Sequence, residues 1–241
     1  MADARNDDTR NLLGTIDLFQ GLTAAELARV GQRVHRRFCP AGTDIITAEQ
    51  PGEVVYLVMS GTVKIHIEQA DGRDVILAIL GPGDTVGEMR LIDSAGRSAS
   101  AVTLDDSVLL WLDRDSFQAC LNEFPQVSLN LVRILSARVR LANELIQALA
   151  TLDVNGRVAR QLLAFAEKYG LEKAGGARRI PVTLTQGDIA DLVGASRKRV
   201  NQAMVLFKSR GLIETGAEGR LTVLDREGLA RIAGDFQQVT L

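Results

Sequence analysis

Hydrophobic and polar positions change rhythm twice along this chain. Between residues 38 and 113, short apolar runs (Val54–Met59, Thr62–Ile67, Val75–Leu80 and Val108–Leu112) alternate with turn signals at nearly even spacing. Those signals are Pro40-Ala41-Gly42, Pro51-Gly52, Ser60-Gly61, Asp71-Gly72, Gly81-Pro82-Gly83-Asp84 and Asp105-Asp106. Strands separated by turns every ~8–12 residues predict an all-β sandwich or jelly roll. The 62–67 run places Val63, Ile65 and Ile67 on one face and Lys64 and His66 on the other. After Pro125, glycine and proline disappear until Gly156, and the apolar period becomes helical. Leu131, Leu135, Arg138, Ala142, Leu145, Leu149 and Leu152 step by four and three, which predicts a coiled-coil seam and hence a homodimer. Arg138 is a charge in that seam and needs a partner there.

A second helical pattern runs from Val158 to Tyr169, and Glu172–Arg179 reads as a loop. Two short helices are then predicted. Thr185 is placed to cap the first, with Asp188 in the capping-box position, and Ile189, Ala190, Leu192 and Val193 form its apolar face. Gly194-Ala195 makes the turn, Ser196 caps the second helix, and Gly211 stops it. Val200, Ala203, Met204 and Phe207 recur at helical spacing, leaving Arg197, Lys198, Asn201 and Gln202 on the opposite face. Two helices joined through glycine, the second opening basic, read as a helix-turn-helix. Residues 211–214 and 220–224, joined across Ala217-Glu218-Gly219, predict a wing hairpin.

Charge sharpens this division. The net charge is −2, yet residues 1–150 carry 14 Lys and Arg against 20 Asp and Glu, while residues 151–241 carry 14 against 10. Between Arg178 and Arg210 there are seven basic residues and two acidic ones. The local excess, not the overall balance, is what a nucleic acid meets. Arg and Lys suit guanine O6 and N7, and Asn and Gln suit adenine N6 and N7. Arg199 and Lys208 are read as phosphate contacts, with Thr185, Gln186 and Ser196 completing the DNA-facing set. The expected organisation is a β-roll over 1–125, a dimerisation helix and hinge over 126–154, and a winged helix-turn-helix over 155–241 (an α+β chain). No apolar run approaches the ~20 residues that span a bilayer, and Met1–Arg10 is polar, so no membrane association and a cytoplasmic location are expected. Cys39 and Cys120 are far apart and read as reduced thiols.

One stretch carries the chemistry of a ligand site. In residues 87–99, Gly87 permits close backbone approach, Glu88 offers a carboxylate to a ribose hydroxyl, and Arg97 and Ser98 suit a phosphate. The set, with Met89 and Ala99 beside it, reads as one short turn built to hold a ribose phosphate. Here the sequence resembles the cyclic-nucleotide-binding domain of the cAMP receptor protein and FNR (CRP/FNR) family of bacterial transcription regulators, and residues 87–99 resemble its phosphate-binding cassette. The resemblance extends over nearly the whole chain. It implies a cyclic nucleotide ligand, cAMP or cGMP, and no cofactor or metal. It also implies double-stranded DNA with a palindromic operator as partner, and RNA polymerase as a further one. It implies that Arg138 pairs with Glu88, and that Asp153–Arg157 lies at the hinge between domains. The positions matching the family's adenine-contacting threonine and serine are Ala142 and Asn143. Asn143 retains hydrogen-bonding groups for a base edge and Ala142 does not, so cyclic di-GMP and ligand-free DNA binding stay open. Family members that read TGTGA carry Arg-Glu-Thr-Val-Gly-Arg where this chain has Arg197-Lys198-Arg199-Val200-Asn201-Gln202. Lysine does not accept from cytosine as glutamate does, so a different half-site is expected.

An enzymatic reading would invoke the metal-binding cupins, but only His35 and His66 are present, too few for a three-histidine site. His66 reads as solvated and His35 as part of an exposed segment. Residues 1–37 contain no cysteine for an iron–sulfur cluster, and no close Cys/His pair suggests haem. A kinase regulatory subunit would share the cassette but not the basic helix-turn-helix.

Overall fold

The computed structural model describes residues 12–47, 53–68, 74–93, 99–216 and 220–234. The turn signals at Pro51-Gly52 and Asp71-Gly72, and the hairpin tip Ala217–Gly219, lie outside the described residues. Two compact units divide inside one helix, between Arg140 and Leu141, with Asp74–Ile76 excepted from the first.

The first unit opens with a 3-10 turn, Asp17–Phe19, and helix α1, Ala24–Gly31. Thr23 caps α1 in a reciprocal capping box with Glu26, and those hydrogen bonds hold the Glu26 carboxyl below its usual value. Strands β1 (His35–Cys39), β2 (Asp44–Ile46), β3 (Val54–Ser60), β4 (Val63–Glu68), β5 (Asp74–Leu80) and β6 (Thr85–Val86) follow. Then come helix α2 (Glu88–Asp93), β7 (Ser100–Thr103), β8 (Ser107–Asp113) and helix α3 (Arg114–Glu123). The strands form two four-stranded sheets, ordered β1-β8-β3-β6 and β2-β7-β4-β5. All four predicted strands are present. The short strands β1, β2, β6 and β7 lack long apolar runs and were not legible.

Strands β3 and β8 pair antiparallel and are buried on both faces. Val55, Leu57, Leu110 and Leu112 belong to a core with Leu18, Phe19, Phe117, Phe124 and Val127. Tyr56, Val58 and Leu109, on the alternate positions, join Cys39, Val63, Leu80 and Val86 in a second core. The period-two alternation thus serves two apolar surroundings at once. Both cysteines are free and buried, and burial pushes the Cys120 thiol up, with Arg33 partly opposing it. His35 lies on exposed β1 with its ring against Trp111, centroids 4.4 Å apart. His66 is half-buried rather than solvated, because β4 is paired on both sides.

Helix α4, Pro125–Thr151, runs 27 residues. The predicted seam needs correction at its first two positions, while Leu149 near its end stays exposed. Leu131 is buried in the first unit's own core and Leu135 packs against that core. The apolar side chains left exposed on α4 include Val132, Val139 and Ile146, at 59%, 60% and 65%. With Leu129 they form a stripe of heptad spacing on a different helix face. Own-domain packing and an outward stripe share this helix, and spacing alone did not separate them.

The second unit contains α5 (Val154–Lys168), β9 (Leu171–Glu172), β10 (Arg178–Arg179), α6 (Gln186–Leu192), α7 (Arg197–Ser209), β11 (Ile213–Thr215), β12 (Leu221–Val223) and α8 (Arg226–Ile232). Asp153 caps α5 by accepting from the Gly156 N–H at 2.8 Å, so Gly156 is helical. Residues 172–179 are not a plain loop. Strands β9 and β10 pair and extend the wing into a sheet ordered β11-β12-β10-β9. Strands this short escape pattern reading because their stabilisation comes from cross-strand pairing.

Gly61, between β3 and β4, has φ +92°, and a Cβ there would stand 2.1 Å from Ser107 Oγ and 2.7 Å from Ser107 Cα. Gly61→Ala is expected to cost about 2–5 kcal/mol by combining backbone strain with overpacking. Gly42→Ala, at φ +76° with open space around it, should cost only about 1–2 kcal/mol of strain. Urea unfolding of the two variants measures the difference; equal losses would show that the Ser107 contact relaxes freely.

Candidate functional site

Gly87 adopts φ +91°, a conformation that favours glycine, and delivers the chain from β6 into α2. Residues 88–93 are therefore helical and not part of one short turn. Glu88, the first residue of α2, is 1% exposed. A carboxylate so buried requires a counter-charge, and Arg138 provides it, Nη1 to Glu88 Oε1 at 2.5 Å. The other arm, Nη2, donates to the Thr85 carbonyl oxygen. Arg138 thereby ties both ends of the β6–α2 turn to α4, within the first unit. The pairing implied by the family resemblance is present in the geometry.

One acceptor is left over. Glu88 Oε2 is buried without a hydrogen-bond partner, as is the Thr85 hydroxyl two residues before Gly87. Buried polar atoms are nearly always satisfied, so an orphaned carboxylate oxygen beside a positive-φ glycine fits a ligand hydroxyl. Thr85 escaped sequence reading because its carbonyl and hydroxyl matter only once α4 lies over the turn. Met89 is 51% exposed, and Ala99 is half-buried immediately before β7. Arg97 and Ser98 lie outside the described residues. Asn143 and Ala142 are exposed on α4, and they fall in the second unit.

The second unit presents the helix-turn-helix as predicted. Thr185 and Asp188 exchange capping-box bonds, and the Thr185 hydroxyl donates to the Asp188 carboxylate at 2.6 Å. The hydroxyl of Thr185 is thus engaged in holding the helix start. Ser196 caps α7 through the Arg199 N–H. Val200, Ala203, Met204 and Phe207 are buried, while Arg197, Lys198, Arg199, Asn201 and Gln202 are exposed. Gln186 is half-buried and donates to Asn201. Lys208 is exposed near the C-terminal end of α7. A basic helix whose apolar face is buried beneath it and whose N-terminus is capped suits the major groove.

Two family models match: the cyclic nucleotide-binding domain over residues 36–124 and the Crp-like helix-turn-helix domain over residues 156–232. A CRP-like cAMP-activated global transcriptional regulator from Mycobacterium tuberculosis is 37% identical over 92% of this chain and 98% of its own length. The chain belongs to the CRP/FNR family of transcription regulators. The cyclic AMP receptor protein of Thermus thermophilus is 33% identical over 90% of this family member and 96% of that protein. Among solved structures, FixK2 from Bradyrhizobium japonicum aligns with a TM-score of 0.71 at 23% identity, covering 83% of this chain and 96% of that one, a likeness of fold. The c-di-GMP responsive regulator CLP of Xanthomonas campestris aligns at 0.66 and 25% identity, covering 83% and 99%. Members of this CRP/FNR family are DNA-binding regulators rather than enzymes. Among the described residues of this family member, no helix is long and apolar enough to cross a membrane, and no group of three His, Cys, Asp or Glu stands ready for a metal ion.

Removing one partner of a buried ion pair strands the other charge and costs about 3–5 kcal/mol. Arg138 is 30% exposed, so Arg138→Met is expected at the lower end, about 3 kcal/mol by chemical denaturation. Adding Glu88→Gln should restore part of that loss. A double variant no more stable than Arg138→Met alone would show that the pair is not what holds the turn.

Proposed function

We propose that this protein is a homodimeric, ligand-gated transcription regulator of the cytoplasm that responds to a cyclic nucleotide, cAMP or cGMP. The observation that carries the reading is the buried Glu88 carboxylate, with one oxygen on Arg138 of α4 and the other unpartnered beside Gly87. A ribose hydroxyl donating to Glu88 Oε2 would satisfy that atom. The phosphate would fall to Arg97 and Ser98 of the cassette. Because Arg138 belongs to the long helix, a ligand on Glu88 acts on the group that holds this helix. It therefore biases a two-state equilibrium of the dimer rather than only filling a pocket. The paired helices then set the two DNA-binding heads on a palindromic operator, with half-sites about 34–36 Å apart. RNA polymerase is the further partner proposed, on the family's account.

Ala142 favours a second reading. It has no polar group for a base, and the structural relative CLP of Xanthomonas campestris is a c-di-GMP responsive regulator. On that reading the same scaffold answers cyclic di-GMP, or binds DNA without a ligand.

Calorimetric titration against cAMP, cGMP and cyclic di-GMP separates these. Binding of a cyclic mononucleotide, weakened in Arg97→Ala by about 2–5 kcal/mol, is the expected result. Binding of cyclic di-GMP alone would favour the second reading, and unchanged affinity in Arg97→Ala would remove the cassette from the site.

Light scattering should give twice the chain mass of 26.1 kDa at micromolar concentration. Val139→Glu, on the exposed stripe, is expected to yield a folded monomer, because the new charge is buried only in the dimer. A monomeric wild type would sink the dimer.

A further inference from the structure

Gln186 and Asn201 belong to different helices, 15 residues apart in sequence, yet Gln186 Nε2 donates to Asn201 Oδ1 at 3.1 Å. The backbone is anchored at both ends of this bond. Gln186 is the first residue of α6, directly behind the Thr185–Asp188 capping box. It lines a half-open pocket with Leu184, Ile189, Met204, Lys208, Thr215 and Leu221. Asn201 lies little more than a turn into α7, whose start is fixed by the Ser196 cap and whose opposite face is held by buried Val200 and Ala203. Among the described residues, Arg197, Lys198 and Gln202 make no side-chain hydrogen bond. Of the four outward residues on this face, Asn201 is therefore the one whose end group is oriented by the protein.

We propose that Gln186 is a positioning residue that decides which way Asn201 presents its carboxamide to DNA. This rests on the reading of α7 as the helix that enters the major groove. The terminal torsion of asparagine is soft, so a free carboxamide presents oxygen and nitrogen in either order. Adenine accepts one order only, with the carbonyl oxygen accepting from N6 and the amide nitrogen donating to N7. An amide oxygen has two lone pairs. Asn201 Oδ1 gives one to Gln186 and keeps the other for N6, while both Nδ2 hydrogens remain for N7 and its surroundings. In the order seen here, with Gln186 donating, Asn201 is preset for adenine before DNA arrives, which reduces the ordering cost of binding. Gln186 tunes specificity through Asn201 and does not need to touch a base.

The test is selection from a randomised duplex DNA library by the full chain with cAMP, with cGMP and without ligand. Affinities are then measured for the selected half-site and its single-pair variants. Asn201→Ala locates the pair that Asn201 reads, where the wild type is expected to prefer adenine. Gln186→Glu has no proton to donate. Its carboxylate accepts from Asn201 Nδ2 and turns the carboxamide around. The adenine preference at that one pair is expected to fall about tenfold, the lower part of the range for a bidentate contact. The added negative charge weakens all sequences alike and cancels from the ratio. Gln186→Lys keeps a donor and is expected to retain the preference. A merely structural role for Gln186 would lower affinity evenly and leave the profile unchanged. An unchanged profile in Gln186→Glu, with or without an even loss of affinity, overturns the proposal while leaving DNA recognition by α7 intact. If the wild type enriches no sequence under any of the three conditions, the reading of α7 fails and this proposal with it.

Discussion

A carboxylate with 1% of its surface exposed cannot stand alone, and Glu88 makes that constraint the organising one of the ligand-binding unit. Its counter-charge comes from Arg138, 50 residues away on α4, and the same guanidinium closes on the Thr85 carbonyl. One side chain therefore sets how the β6–α2 turn and the long helix meet. Charge-assisted pairs of this kind favour one geometry over near alternatives, and here the geometry leaves Glu88 Oε2 unsatisfied. A buried acceptor without a partner costs the fold the desolvation of that oxygen.

The turn can be held this firmly because the strands behind it are covered on both sides. Strands β3 and β8 send alternate residues into two separate cores, so neither strand has a solvent face along which register could slip. Strand β6 pairs with β3 through Tyr56–Val86 and Leu57–Thr85, which places Thr85, Gly87 and Glu88 at the rim of that doubly buried sheet. The recognition unit reaches similar definition by another route. Its helices are short, each is capped by a side chain at its start, and the four-stranded sheet that includes the wing extends beside them. Local hydrogen bonds there work beside a buried core that includes Val158, Leu162, Val200 and Phe207.

Helix α4 has two obligations along its length. Leu131 and Leu135 serve the core of the first unit, while Val132, Val139 and Ile146 are left outward. A partner helix on the outward stripe would bury what a single chain leaves exposed. The division of labour also gives Arg138 its place at the inner edge, where it reaches Glu88 instead of standing in the seam. In the recognition unit the analogous refinement is the Gln186–Asn201 bond, in which one polar side chain governs the presentation of another.

The sequence by itself determined the fold class, a β-roll followed by a long helix and a helix-turn-helix. Even turn spacing defined the β-roll, the capping residues and buried spacing around Gly194 defined the helix-turn-helix, and Gly87-Glu88 marked the cassette. These features are local: each depends on residues within one element or one turn, so periodicity and capping rules reach them. Strands β1, β2, β6, β7, β9 and β10 were not legible, since they are short and stabilised by pairing with distant partners rather than by their own pattern. That the domain itself takes Leu131 and Leu135 from the predicted seam was hidden for the same reason. A heptad count records that two faces of α4 are apolar, and only packing decides which one the domain claims. The resemblance to the family suggested the Arg138–Glu88 pair, and the tertiary structure supplied its further bond to Thr85 and the orphaned oxygen. Likewise, nothing in the spacing of Gln186 and Asn201 announces that they touch, because a hydrogen bond between helices is set by how the helices cross.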